Sequence, residues 1–185
     1  MVKDILKDAE SRMSSAVDAL RDDLKRIRTG RATPALVEDI EVEYYGMPTK
    51  LNQLATISIP EPRQIMVRPF DAGSVDDVIK GIQKSDLGIT PNSDGKVIRL
   101  NLPSLTEERR RDLVKVVHKR VEEGRVAVRN VRRDCMKDMR EFEKEKLISE
   151  DDLKRGEEDL QEVTDKYTDK LQEVGDEKEA EIMEV

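Results

Sequence analysis

The stretch TEERRRDLVKVVHKRVEEGRVAVRNVRRDCMKDMREFEKEK, residues Thr106–Lys146, decides the fold because it predicts one long, proline-free helix with two stripes. The first stripe is apolar and recurs every three or four residues, as expected for a helix that buries one face: Leu113, Val117, Val121, Gly124, Val128, Val131, Cys135, Met139 and Phe142. The second is basic and lies roughly 60–160° around the helix from the first: Arg111, Lys115, Arg125, Arg129, Arg132 and Arg133. One side of this helix is therefore predicted to pack on other helices while a flank presents guanidinium groups.

The charge of the chain is strongly polarised along its length. The formal net charge is −7, which taken alone argues against a nucleic-acid partner. Between Arg109 and Arg133, however, ten basic residues stand against three acidic ones. From Leu147 to Val185 the balance reverses, with five basic and fifteen acidic residues. The acidic final helix is interpreted as solvated bundle surface, or as a face that repels RNA so that only one side docks.

Two further helices and an inserted segment complete the predicted architecture. An apolar stripe predicts a helix over residues 4–28, and Ser149 with Asp152 resembles an acidic capping box that opens another helix. All seven prolines fall between Gly30 and Pro103, where the residue composition and alternation favour strands and turns. The strands are predicted at 40–45, 55–59, 65–68 and 96–102, the turns at 60–62 and 92–95, and a short helix at 75–84.

The predicted fold class is therefore α+β: an elongated three-helix bundle with a small inserted β/α/β domain. The bundle takes residues 1–29 and 106–185, and the inserted domain takes residues 30–105. Two short chain crossings join them, and we predict that they form a hinge, with a rigid junction as the alternative. The predicted hinge residues are Thr29, Gly30, Asn101, Leu102, Pro103, Ser104 and Leu105.

Catalysis has little support in the sequence. The single cysteine, Cys135, falls in the apolar stripe and is interpreted as a buried thiol, and the single histidine, His118, lies on the basic flank. The glycine-rich nucleotide loops and the Cys/His spacings typical of metal sites do not occur, and the carboxylates form no paired acid–base constellation. We therefore expect a non-enzymatic protein without a cofactor or metal. One cysteine and no signal peptide or long apolar run indicate a soluble cytoplasmic protein.

The basic flank is the strongest functional indication. Arginine binds two phosphate oxygens at once through its planar fork, and an antiparallel bundle would add Lys25, Arg28 and Arg31 beside Arg109–Arg111 near the hinge. Arg110 lies in core phase, so it must turn outward or pair internally. Two alternatives stay open: a solvated face with intrahelical ion pairs, or a coiled-coil interaction protein that self-associates through its stripes.

Six motifs occur in order along the chain: I-R-T-G-R-A at 27–32, V-E-Y-Y-G at 42–46, S-D-L-G at 85–88, L-T-E-E-R-R at 105–110, V-R-N-V-R-R-D at 128–134 and I-S-E-D-D at 148–152. Together they resemble the bacterial ribosome recycling factor family over all 185 residues. The resemblance implies an L-shaped molecule, similar in outline to tRNA, that acts in translation termination and protein biosynthesis as a monomer when free in solution.

The resemblance also implies partners and site residues. The implied partners are the ribosome, chiefly rRNA of the large subunit, and elongation factor G, which uses GTP; together they dissociate the post-termination complex so that ribosomes are recycled from mRNA. The family's rRNA-contacting arginines carry over to Arg129 and Arg132, while Arg28, Arg31 and Arg110 match its hinge-end motifs. With Arg125 and Arg133 from the basic flank, these are the predicted rRNA-binding residues.

Overall fold

The computed structural model describes residues 1–184 and divides into two compact units. One unit comprises Met1–Ile27 together with the chain from Glu108 onward, and the other comprises Arg28–Glu107. The elements in chain order are α1 Val2–Lys25, β1 Glu41–Tyr44, β2 Met47–Lys50, α2 Leu51–Leu54, β3 Ala55–Glu61, β4 Gln64–Pro69, α3 Val75–Lys84, β5 Asn92–Ser93, β6 Ile98–Asn101, α4 Glu107–Lys144 and α5 Glu150–Met183.

The three long helices α1, α4 and α5 bury their apolar stripes against one another. Lys166 of α5 binds Glu10 of α1 at 2.7 Å, and Gly156, near the start of α5, packs on Val2, so these two helices run parallel. Helix α4 runs antiparallel to α5, since Gly124 packs on Leu171 and the earlier Val121 packs on the later Gly175. The three-helix bundle predicted from the sequence is confirmed.

The bundle core consists of the predicted stripes, with small shifts. The buried residues of α1 are Ala9, Met13, Val17, Leu20 and Leu24, and Leu6 and Ile27 are only half-buried. The fully buried side chains with the largest volumes in the bundle are Met13, Met139, Leu160, Leu171 and Ile182. Burial of each such side chain contributes about 1.5–3 kcal/mol, which stabilises helices whose outer faces are almost wholly charged.

The unit of residues 28–107 contains two antiparallel sheets and a core of its own. Strands β1 and β2 form a hairpin, and β3, β4, β6 and β5 form a four-stranded sheet in that order. Helix α3 packs on β1 so closely that a Cβ on Gly81 would lie 2.9 Å from the Val42 Cγ2 atom. The shared core comprises Val37, Val42, Leu51, Ile65, Val67, Val78, Ile82, Ile98 and Leu100. The predicted α+β class is confirmed, and the predicted helix at 75–84 has the bounds of α3.

Two local predictions in this unit are wrong in part, and one strand was missed. Pro60 and Glu61 belong to β3 rather than to a turn, because β3 is an edge strand with a bulge, where a missing N–H is tolerated. Asn92 and Ser93 form β5 against β6 instead of opening the turn, which lies further on, where the Asp94 carboxylate accepts the Lys96 and Val97 amides. Strand β2 was not predicted, since Pro48 stands inside it.

The two chain crossings lie side by side at the edge of this unit. Gly30 has φ 77°, and a Cβ there would lie 3.4 Å from Leu105 Cγ and 3.7 Å from the Pro103 carbonyl oxygen. Asn101 is held by Gln64, whose Nε2 donates to its Oδ1 at 2.9 Å, and the Leu102 amide donates to the Arg63 carbonyl at 2.8 Å. Thr29 is buried.

The predicted capping box at the start of α5 is confirmed. The Ser149 hydroxyl accepts the Asp152 amide, and the Asp152 carboxylate accepts the Ser149 amide, both at 3.1 Å. Each side chain therefore satisfies a backbone donor that the first helical turn leaves open. The hydrogen bond from Ser149 also holds the pKa of Asp152 below its ordinary value.

Replacing Ser149 with alanine is expected to reduce the free energy of unfolding by about 1 kcal/mol, because one helix donor loses its acceptor. Ser15→Ala is the matched control, since that hydroxyl bonds only to the Ser11 carbonyl within α1, and its effect is expected to stay within about 0.5 kcal/mol. Urea unfolding followed by circular dichroism measures both. Equal losses in the two variants would contradict the capping role.

Candidate nucleic-acid interface

A groove along one face of α4 is lined almost entirely by cationic side chains. It has a volume of about 670 Å³, and its lining residues are Arg129, Arg132, Arg133, Met136, Lys137, Arg140, Glu141 and Lys144. These residues recur at spacings of three and four, so the helix places them in one row of roughly 22 Å at about 1.5 Å per residue. Six cations and one carboxylate make this row a strongly positive surface on an acidic chain.

Glu122 pairs with Arg129, the first cation of this row, and with Arg125, which lies one turn before it. Its carboxylate accepts Arg129 Nη2 at 2.7 Å and lies 3.5 Å from Arg125 Nη1. The hydrogen bond from Arg129 lowers the pKa of Glu122 and so favours its ionised form. Arg125 also donates to Gln172 Oε1 on α5, which holds it at the helix–helix seam. An incoming phosphate has to compete with Glu122 for Arg129.

Arg132 lines the groove and has an unsatisfied donor. The residue is half-buried, and its Nε has no hydrogen-bond partner within residues 1–184. A buried N–H without an acceptor costs about 1–3 kcal/mol and therefore calls for an explanation, of which an anion bound in the groove is one. Arg133, the next residue along α4, is exposed on the same groove.

The structure extends the predicted basic flank by three residues. Lys137, Arg140 and Lys144 continue the row beyond Arg133, and Arg140 Nη2 lies 3.4 Å from Glu157 on α5. The predicted basic flank ended at Arg133, although the same spacing of three and four continues through these positions. Arg125, Lys115 and Arg111, which the stripe included, do not line the groove, and Arg125 lines a separate pocket with His118 and Gln172.

The structure does not place the predicted hinge-end arginines on this groove. Arg110 Nη1 donates to the carbonyl oxygens of Met183 at 3.2 Å and Glu184 at 2.9 Å, so the guanidinium caps the C-terminal end of α5. This is the internal pairing that its core phase allowed. Arg28 donates to the carbonyls of Asp86 and Leu87, the latter at 2.6 Å, and so holds the loop after α3. Arg31 lines a separate cleft of about 330 Å³ with Pro60 and Pro62.

The single histidine lies beside a carboxylate of the neighbouring helix. His118 is exposed and its Nε2 lies 2.9 Å from Glu179 on α5. Within residues 1–184, no group of three or more His, Cys, Asp or Glu side chains is arranged to hold a metal ion. None of the helices in this part of the chain combines the length and hydropathy needed to traverse a membrane.

Cys135 is 1% exposed, as the stripe predicted, and burial raises the pKa of its thiol. Because the thiolate is the reactive form, we expect a thiol reagent to modify the folded protein slowly at neutral pH. Denaturant should bring modification to completion, and the folded-state rate should rise only at a pH above the usual thiol range. A colorimetric thiol assay measures both states, and fast modification of the folded protein would contradict the buried position.

A family model described as ribosome recycling factor matches residues 20–183 of the chain. The chain belongs to the ribosome recycling factor family. The ribosome-recycling factors of Roseiflexus castenholzii and Halalkalibacterium halodurans are 55% and 54% identical to it, each over the whole of both chains. The family assignment made from the six motifs is therefore confirmed.

Solved structures of the same family share the fold. A solution structure of a ribosome recycling factor has a TM-score of 0.78 at 46% identity and covers all of this chain and 98% of its own. A second structure, with a TM-score of 0.66 at 40% identity and complete coverage of both chains, comes from models of the T. thermophilus ribosome recycling factor and the E. coli elongation factor G bound to the E. coli post-termination complex.

Proposed function

We propose that this chain is a translation factor that dissociates the post-termination ribosomal complex in the cytoplasm, acting together with elongation factor G and GTP. Family membership and the bound T. thermophilus relative, which is 40% identical over its full length, support the assignment. The chain itself needs no cofactor in this scheme, because the elongation factor uses the GTP.

The observation that carries the proposal is the row of six cations on α4. Phosphate contacts position a protein on RNA without reading sequence, and arginine forks suit paired phosphate oxygens. Structured RNA is recognised largely through its shape and backbone, for which a straight row of roughly 22 Å is suited. We therefore propose the groove as the docking surface for rRNA of the large subunit, with Arg129, Arg132 and Arg133 at its upstream end.

The coiled-coil alternative required apolar stripes that are free to bind partner helices. Its predicted partner surface was the set of apolar stripes, and these stripes pack on each other inside one chain. The chain is accordingly proposed to be a monomer when free in solution, which analytical sedimentation measures directly.

Splitting of purified post-termination ribosomes tests the proposed function. With the chain, elongation factor G and GTP together, light scattering should fall as subunits separate, and omission of any one of the three should prevent the fall. Replacing GTP with a non-hydrolysable analogue distinguishes binding of the factors to the ribosome from the splitting of the subunits. Unchanged scattering with all three components present would overturn the proposal.

The hinge between the two units is also a proposal. The deletion of Ser104, an exposed residue of the second crossing, is expected to slow ribosome splitting several-fold while subunit binding changes little, because a shorter crossing restricts motion. Pro103→Gly, which loosens the same crossing, is the control and should preserve splitting. Gly30→Pro is unsuitable, because proline requires φ near about −65° and Gly30 has φ 77°. Equal splitting rates in both variants would contradict the hinge.

A further inference from the structure

The first cation of the α4 groove is already paired in the free protein. Arg129 Nη2 donates to the Glu122 Oε1 atom at 2.7 Å, between positions seven residues apart on the same helix. This distance is typical of a charge-assisted hydrogen bond, which is stronger than a bond between neutral groups. The Arg129 side chain is 56% exposed and the Glu122 side chain 53%. An approaching ligand can therefore reach both members of the pair.

The Glu122 carboxylate is also held from its other side. Its Oε2 atom lies 3.5 Å from Arg125 Nη1, and the Arg125 guanidinium donates in turn to Gln172 Oε1 on α5. The Gln172 Nε2 atom donates to Asp176 Oδ1 at 2.6 Å. A chain of polar contacts thus runs from α5 across the seam between the two helices to the groove. Because the members of such a chain restrain one another, the carboxylate is kept between two guanidinium groups.

Glu122 lies on the same face of α4 as the cations of the groove. A separation of seven residues is close to two full helical turns, so Glu122 and Arg129 point in nearly the same direction. Arg132 and Arg133 follow within one further turn and also line the groove. A carboxylate and a phosphate both offer two oxygens to an arginine fork. Glu122 therefore occupies at Arg129 the place that a phosphate would take if RNA lay along the row.

We propose that Glu122 is an intramolecular competitor for the groove: its carboxylate occupies Arg129 in the free chain, and a phosphate of the docking RNA displaces it. This deepens the proposed function and rests on it only for the identity of the anion, rRNA of the large subunit. A single phosphate at Arg129 exchanges one exposed ion pair for another and gains little. An RNA backbone along the row also meets Arg132 and Arg133, which offsets the exchange. Glu122 therefore lowers the affinity for isolated phosphates and keeps docking reversible.

Two effects set the size of the competition. Opening an exposed ion pair changes an equilibrium constant by up to about fivefold. Repulsion between the displaced carboxylate and a phosphate about 5 Å away in water adds a factor of about three. Together they predict that the charge of Glu122 weakens binding of an RNA phosphate at Arg129 by about tenfold.

Glu122→Gln tests the proposal, because it keeps an acceptor for Arg129 and removes only the charge. We expect the affinity for purified large ribosomal subunits to rise about tenfold. The matched control is Glu123→Gln, which changes the net charge equally at the next residue. Glu123 pairs with Arg120 at 3.0 Å, and neither of them lines the groove. Because Glu123 lies about 100° further round the helix, its substitution should change affinity less than about twofold.

A double-mutant cycle shows whether the effect acts through Arg129. In the Arg129→Ala background, the gain from Glu122→Gln should fall to about threefold or less, because the ion pair that it opens is already absent. An equal gain with and without Arg129 would show general repulsion of RNA and overturn the competitor. Weaker binding of Glu122→Gln would show that the carboxylate positions Arg129 for phosphate, and it would overturn the proposal, as would a gain no larger than that of Glu123→Gln.

Inorganic tripolyphosphate supplies a measurement that needs no ribosome. Its binding to the full chain at low salt is followed by the backbone amide NMR signals of residues 129–133. We expect Glu122→Gln to bind it at least about fivefold more tightly than the unaltered chain or Glu123→Gln does. If this difference is seen but the unaltered chain binds no large subunits, the proposed function fails and the competitor is supported. Equal binding of tripolyphosphate by all three proteins would overturn the competitor.

Discussion

Replacing both Arg129 and Arg132 with alanine is expected to reduce affinity for large ribosomal subunits at least a hundredfold while the fold persists. Each hydrogen bond to a charged group contributes about 1.5–3 kcal/mol, so two lost phosphate contacts amount to about 3 kcal/mol or more. Arg129 is exposed, and the Nε of the half-buried Arg132 has no hydrogen-bond partner within residues 1–184, so both substitutions leave the buried apolar residues of the bundle in place. Surface changes of this kind alter stability by about 0.5 kcal/mol.

Salt dependence supplies a second measurement on the same variant. If about six phosphates are neutralised, affinity should fall on the order of a thousandfold between roughly 50 and 200 mM salt, and the double variant should show a shallower slope by about two. The matched control is Arg21→Ala with Arg120→Ala, two exposed arginines outside the groove whose ion-pair partners lie within their own helices. An equal loss of affinity in the control variant would show that the overall charge of the protein, rather than a docking site, determines binding.

Leu171→Ala is expected to reduce the free energy of unfolding by about 3–5 kcal/mol. Leu171 is fully buried in the bundle, and the loss of a buried leucine side chain combines lost transfer energy with a cavity. Leu147→Ala is the control, since Leu147 is 53% exposed and its loss should cost well under about 1 kcal/mol. Denaturant titration measures both variants, and similar losses would contradict the packing described.

Gly124 provides a compensating change for that variant. A Cβ on Gly124 would lie 2.9 Å from the Leu171 Cδ2 atom, so Gly124→Ala alone is expected to overpack the interface. In the Leu171→Ala background the added methyl group meets a cavity, and alanine also exceeds glycine in helix propensity by about 1 kcal/mol. The second substitution should therefore restore part of the lost stability, and additive effects would contradict direct contact between the two positions.

Much of the bundle could be predicted because its determinants are local. The α4 stripe, the Ser149 cap and the burial of Cys135 depend on residues three or four positions apart, which any helix brings together. The bounds of α3 could be predicted for the same reason. Strand β2 escaped prediction since its pairing with β1 outweighs the proline inside it.

The candidate site was only partly predictable. The spacing placed Arg125, Arg129, Arg132 and Arg133 on one flank of the helix. It does not show which of these arginines bond to a neighbouring helix. Arg125 bonds to Gln172, 47 residues away, and Arg110 bonds to the end of α5, 74 residues away at Glu184. The two hinge-end arginines with such partners, Arg28 and Arg110, support their own units, whereas Arg132 keeps an unsatisfied donor.

The sequence by itself determined the helical periodicity, the polarised charge and the family, because each depends on residue order alone. Only the tertiary structure decided that Arg110 caps the end of α5 and that Asp71 gathers two tyrosines from the hairpin tip. The physical reason is distance along the chain. Hydrogen bonds and packing between residues 26 or more positions apart depend on how whole elements meet, and local patterns do not encode that geometry.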